Sequence, residues 1–213
     1  MIKVEPQVEF LWATPDSDEC LANHVRMLYR DRNRPNDTDS LIRTGIRCDL
    51  GDIVLSSCQA SFRIYHSLHV LREISTYIPK RVELSPWGSM MSDEGVQLKH
   101  LPFVMPKIVR DTGRGESHWK QAVENGETAF FGMLRDGLRP DAASTVLPLS
   151  LASTTVFTAG FDEWIKLLDG LQSQPMVSGD VAETLASISF ALSIVSPILF
   201  ARGAEKWAEK STG

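Results

Sequence analysis

FRIYHSLHVLREISTYIPKRVELSPWG, residues 62–88, carries two periodicities in succession, and the change between them sets the class of fold. Ser61, Phe62, Arg63, Ile64 and Tyr65 alternate as a half-buried strand does, each residue facing opposite to the last. The β-branched and small residues upstream extend the predicted strand back to Ile53. Leu68, Leu71, Ile74 and Ser75 then recur at three- and four-residue spacing, which predicts a helix with an apolar stripe. This spacing places Arg72 beside the stripe and Glu73 further round the surface. Pro79 has no N–H to give the next turn, so the helix ends there.

Working outward, residues 2–12 read as an edge strand interrupted by Pro6. Leu21, Val25 and Leu28 predict a helix over 19–29 behind the caps Asp16 and Ser17, and RDRNRPNDTD, 30–39, is a loop of solvated charges. Residues 85–117 hold four Gly and three Pro and are expected to form a long irregular excursion, with one extended piece at LPFVMP. Ser117 is expected to cap a helix over His118–Asp136 that ends near Gly137. Pro140 opens a short helix that Pro148 closes, and Leu149–Thr158 is strand-like. Phe161, Trp164, Leu167, Leu168 and Leu171 mark one further helix. Val181, Leu185, Ile188, Leu192, Val195 and Leu199 mark another, ending around Pro197 to Phe200. From about residue 203 the tail is expected to fray. Strands early and in the middle, with helices clustered late, predict an α+β fold in a single domain over 1–213.

The 213 residues can bury a core without disulfides or metal. A net charge of -5 argues against a surface built for a nucleic-acid backbone, although locally clustered cations could hold a small phosphorylated ligand. Cys20, Cys48 and Cys58 are odd in number and lack CxxC spacing, so they are expected to be buried thiols. His66 and His69 share a metal-like spacing without a third ligand, and packing or surface roles are expected of them. With no apolar run of ~20 residues, neither a membrane span nor a signal segment is expected, and a reducing cytoplasm fits. GxSxG, P-loop and GxGxxG motifs are absent.

Two segments together resemble the flavin-dependent thymidylate synthases, the ThyX class. One is the opening stretch, which looks like the family's strand, helix and Arg-Gln step, followed by the signature RHR and Glu-Leu-Ser; Arg72 and Glu83-Leu84-Ser85 agree with it. The other is ASTVLPLSLASTTVFTAGFDEWIKLLDGL with SGDVAETLASISFALSIVSPILF, where Ala143, Val146 to Pro148, Thr158, Trp164 to Leu168, Asp180-Val181, Pro197 and Phe200 keep the frame. The polar signature is replaced. Aligned on Arg72, the RHR positions fall on Thr76, Tyr77 and Ile78, the glutamine becomes Glu73, and reaching ELS takes one deletion. The arginine before VLP is Ser144, the later asparagine is Gly160, a helix-end arginine falls near Leu171, and a Glu-His pair falls on Ser56-Ser57.

The resemblance implies an antiparallel sheet with a cluster of helices, FAD as cofactor, a pyrimidine deoxynucleotide as ligand, and a homotetramer with active sites between subunits. Guanidinium groups give phosphate permanently charged, bidentate hydrogen bonds that Thr or Ile cannot, each worth ~1.5–3 kcal/mol. Their replacement implies a degenerate subunit partnering an active ThyX-like paralogue, with FAD lost or held only with that partner. Nucleotide- or cofactor-binding candidates are Arg72, Glu73, Arg81, Glu83 and Ser85, with Lys80 beside Arg81; no residue is assigned to catalysis or to a metal. Salt bridging by Arg72, exposed turn cations at Lys80 and Arg81, and a turn-capping Ser85 are the structural alternatives. Two other functions stay open: an active FAD- and folate-dependent C5 methyl- or hydroxymethyltransferase on dUMP or dCMP, and a non-catalytic assembly protein.

Overall fold

The computed structural model describes residues 1–28, 37–47, 51–79, 81–84 and 100–212. Among these residues the elements run β1 (Ile2–Val4), β2 (Gln7–Ala13), α1 (Ser17–Leu28), α2 (Thr38–Arg47), α3 (Gly51–Ser56), β3 (Gln59–Ser67), α4 (Leu68–Tyr77), β4 (Arg81–Leu84), β5 (Pro102–Val104), α5 (Lys107–Thr112), α6 (Glu116–Arg135), α7 (Pro140–Ala143), a 3-10 turn (Ser144–Val146), β6 (Ala152–Gly160), α8 (Phe161–Gln172), α9 (Gly179–Val195) and α10 (Pro197–Thr212). The fold is α+β, as expected. Its main sheet is antiparallel with order β2-β3-β6-β4. A second, two-stranded sheet pairs β1 with β5 in parallel, Lys3 opposite Phe103, a pairing no local pattern announces.

The chain divides into two compact units. The first comprises Met1–Gln7, Ile64–Glu73 and Val82–Thr155, and the second comprises Val8–Arg63, Ile74–Arg81 and Val156–Gly213. The first unit is centred on Leu101, Phe103, Val123, Phe130, Ala143 and Leu151. Glu127, buried on α6, anchors it by accepting from the Leu101 N–H at 2.5 Å and the Met1 amine at 2.8 Å. Burial alone would raise the Glu127 carboxyl, but these donors and His100 outweigh it and hold the group below its ordinary range.

In the second unit an aromatic series supports the sheet: Phe10 meets Phe62 edge-on at 5.5 Å, and Phe62 meets Trp164 at 5.1 Å. The Trp164 indole N–H donates to the Ala60 carbonyl at 3.2 Å, so this large ring is buried without an orphaned donor. α9 and α10 pack against each other along their lengths.

Three expectations are corrected. Residues 53–56 are helical, because Val54 and Leu55 point inward from the short helix α3 while Cys58 N–H returns to the Leu55 carbonyl, so β3 starts only at Gln59. Ser117 lies inside the first turn of α6 and does not cap it; Gly113 and Gly115, with φ of 67° and 78°, make the tight passage from α5. The last helical pattern breaks in two at Ser196. Pro197 is suited to open a helix, and α10 then continues through the segment expected to fray, with Trp207 buried. Of the excursion expected at 85–117, residues 85–99 lie outside the described residues; the remainder forms β5, α5 and the start of α6.

Candidate functional site

α4 carries the first candidates. Val70, Leu71 and Ile74 are its buried residues, with Ile78 buried just past its end, so the apolar stripe is centred between Val70 and Ile74, one step away from the expected line through Leu68 and Ser75. Rotating the stripe in this way leaves Arg72 exposed on the far side and Glu73 half-buried, the reverse of the expected order. Arg72, Glu73 and Glu83 belong to the first unit and Arg81 to the second. Arg81 and Glu83 are exposed on β4, and Arg81 reaches the Pro79 carbonyl at 3.4 Å. Ser85, Lys80 and Trp87 lie outside the described residues.

The three signature positions have separate fates. Thr76 is exposed. Tyr77 lies against α8: a Cβ placed on Gly170 would come within 2.6 Å of the tyrosine ring, and Gln174 Nε2 donates to the phenolic oxygen at 3.4 Å. Ile78 is 0 % exposed, and Leu171, near which the helix-end arginine is expected, is 1 % exposed. Two positions expected to carry cations are therefore interior to the second unit. A guanidinium there would be desolvated without a built partner. The Tyr77 contact joins residues 97 positions apart in its hydrogen bond to Gln174, so no spacing rule could have found it.

The remaining departures are likewise absorbed by the fold. Ser144 Oγ donates to the Asp141 carbonyl at 2.8 Å, an ordinary turn contact. Gly160 precedes α8, and its N–H donates to the Glu163 carboxylate at 3.1 Å, which caps that helix. A side chain at Gly160 would also press on the Ser56 backbone at 3.3 Å. Thr158 and Ser61 share a hydroxyl hydrogen bond of 2.9 Å across β3 and β6. The residues present at Ile78, Leu171 and Gly160 do not fit a phosphate-bearing cofactor or nucleotide held by this chain's own signature positions.

One packing contact can be tested directly. Gly170→Ala gains helix propensity, but its methyl group meets the Tyr77 ring, and overpacking of this kind costs about 1–3 kcal/mol. We expect a lower thermal midpoint for Gly170→Ala and recovery of part of the loss in the Gly170→Ala, Tyr77→Ala double variant. Equal midpoints for Gly170→Ala and the parent would show that Tyr77 does not sit on that glycine.

The first unit contains a second polar cluster. His66 is 1 % exposed at the end of β3; the Ser67 N–H donates to its Nδ1 at 2.7 Å, and Ser67 Oγ lies 3.1 Å away. Nδ1 is thus an acceptor, which puts the neutral ring's proton on Nε2. Burial, then the positive charge of Arg110, then His69, lower its pKa to about 4. Arg110 pairs with Glu5 at 3.1 Å. His69 is exposed, and the described residues contain no group of three or more His, Cys, Asp or Glu able to hold a metal ion. Among them no helix is long and apolar enough to cross a membrane.

No protein-family model matches this sequence, and no curated protein is significantly similar to it. Solved structures are. The UMP/dUMP methylase PolB from Streptomyces cacaoi, bound with 5-Br dUMP, superposes with a TM-score of 0.71 at 15 % identity over 98 % of this chain and 97 % of that one. The same enzyme bound with 5-Br UMP gives a TM-score of 0.73, again at 15 % identity, over 97 % of each chain. A likeness this extensive at so low an identity is one of backbone architecture: the chain has the ThyX-like α+β fold, an antiparallel sheet with a cluster of helices.

Proposed function

We propose that this chain is a divergent ThyX-like protein of pyrimidine nucleotide metabolism that acts as a degenerate subunit beside an active ThyX-like paralogue. The observation that carries the reading is the burial of Ile78 and Leu171 at positions where the resemblance expects cations. The loss is a commitment of the fold, since those side chains now stabilise the second unit. A subunit role is supported by α9, whose residues 184–195 carry no charge and which leaves Phe190 64 % and Ile194 68 % exposed. FAD and the nucleotide would then be held by arginines of the paralogue, with Arg72, Glu73, Arg81, Glu83 and Ser85 contributing at most a wall of the site.

A second reading is favoured by the extent of the structural match. The fold is shared with a methylase of UMP and dUMP over nearly the whole chain, which supports an active FAD- and folate-dependent C5 methyl- or hydroxymethyltransferase acting on a uridine-type monophosphate. The base and sugar it would select are set by residues other than the family signature.

Purification separates these readings. Expressed alone, the chain is expected to be colourless, to show no rise in melting temperature with UMP or dUMP, and to transfer no one-carbon unit. Co-expressed with an intact ThyX-like paralogue, it is expected to copurify and to acquire flavin absorbance. Stoichiometric FAD and turnover of a nucleotide by the isolated chain would establish the active enzyme instead. Failure of nucleotide to raise the melting temperature with or without the paralogue would indicate a purely structural subunit.

A further inference from the structure

Cys58 and Cys20 meet where the N-terminal turn of α1 passes the start of β3. The Cys58 Sγ donates to the Ser17 carbonyl at 3.7 Å, and Cys20 is one turn further along that helix, on the same face as Ser17. Cys20 is the neighbour that, after burial, does most to push the Cys58 thiol up to about 12. Both cysteines are free. Cys58 is fully buried, whereas Cys20 is half-buried and reachable from solvent.

A histidine completes the group. His24 Nδ1 lies 2.9 Å from the Cys20 carbonyl and 3.8 Å from the Cys20 Sγ. A carbonyl can only accept, so Nδ1 carries a proton, and that N–H stands beside the sulfur. An accessible thiol, an adjacent proton donor and a buried second thiol are the parts of a peroxide-driven dithiol couple.

We propose that Cys20 and Cys58 form a redox pair in which hydrogen peroxide, or an organic hydroperoxide, oxidises Cys20 and Cys58 resolves the product to an intramolecular disulfide. In the first step the Cys20 sulfur attacks a peroxide oxygen. An S–O bond forms, the O–O bond breaks, and the departing hydroxide takes the Cys20 thiol proton and leaves as water, with the His24 Nδ1–H beside the sulfur to hydrogen-bond the departing oxygen. In the second step the Cys58 thiol gives up its proton and its sulfur attacks the Cys20 sulfur. The S–S bond forms, the S–O bond breaks, and a second water leaves. Two thiols are oxidised by two electrons and one peroxide is reduced to two waters.

The product would tie α1 to β3 and close the chain segment between residues 20 and 58. The test uses the full chain carrying Cys48→Ser, which leaves only these two thiols. After peroxide, both are expected to become unreactive to an alkylating reagent under denaturing conditions. Non-reducing peptide mapping should give a linked Cys20–Cys58 pair lighter by two hydrogens, reversed by a dithiol reductant. The melting temperature should rise by about 5–10 °C, the shift expected of a disulfide closing a loop of this size in a domain of this size. With Cys58→Ala added, Cys20 should instead be trapped by dimedone as the sulfenic acid; with Cys20→Ser added, Cys58 should stay reduced. Two thiols that both survive peroxide in the folded protein, or oxidation of Cys20 to sulfinic acid with no linked peptide while Cys58 remains a thiol, would overturn the proposal.

Discussion

Ile78→Arg, which restores the guanidinium that the family resemblance expects at that position, should strongly destabilise the protein and not revive a phosphate site. Ile78 is 0 % exposed in the second unit. Introducing an unpaired charge there combines lost apolar burial with an uncompensated desolvation cost, and breaks of this kind are worth about 3–5 kcal/mol. That is a large share of the roughly 5–15 kcal/mol holding a typical domain together. Chemical denaturation followed by circular dichroism should show the loss as a lower midpoint with little change in slope. Leu171→Arg should behave in the same way. If either variant kept its midpoint and bound FAD, the positions would have to open toward a ligand, and the proposed degeneracy would be withdrawn.

Acid should destabilise the parent protein through His66. Its folded pKa of about 4 lies below the ordinary value of 6.5, so between those limits the unfolded chain binds the proton that the buried ring refuses. Stability is therefore highest above the unfolded value, falls as pH drops through the window from 6.5 to 4, and levels off below it. The full difference corresponds to about 3 kcal/mol at 1.36 kcal/mol per pKa unit. Arg110 and His69 are the charged or titratable groups that oppose protonation, after burial itself. Replacing His66 by Gln removes the titration, so the variant's midpoint should change far less over that window, whatever its stability at neutral pH. A parent and variant with parallel profiles would show that His66 titrates normally. The Glu127 carboxylate works in a separate range: its folded value is depressed below 4.5, so its contribution is lost only in stronger acid.

How much could be read without coordinates depended on how local the cause was. Pro6 splits β1 from β2, Pro79 follows α4, and the apolar rhythm of Phe161 to Leu171 becomes α8, because each of these acts within a few residues. At Ile53 to Ser56 strand propensity favoured the wrong element. There tertiary burial of Val54 and Leu55 and the turn at Cys58 override an intrinsic preference worth well under ~1 kcal/mol per residue. Arg72 was misplaced for a related reason: Leu68 and Ser75 satisfy the helical spacing but only border the buried face, which Val70 and Ile78 complete.

The candidate site was legible chiefly in what had been replaced. The family resemblance sets cations at Ile78 and near Leu171; only the fold shows that both positions have become core. The Tyr77 contact with Gly170, the pairing of Arg110 with Glu5 beside His66, and the meeting of Cys20 with Cys58 all join distant segments. No periodicity encodes such contacts. The cysteine count predicts buried thiols, whereas the partial accessibility of Cys20 and the nearby His24 depend on how α1 is laid down.

Each compact unit is assembled from three separate stretches of chain, with β3 and β6 divided between the two. A nascent polypeptide emerging from the ribosome would therefore hold α3 and most of β3 without α8 packed on them until that helix had also cleared the exit tunnel. Cutting the gene at any single point between residues 8 and 155 would divide both cores between the two halves of the product. A split-reporter design in this scaffold would report reassembly of the whole fold and not docking of two preformed pieces.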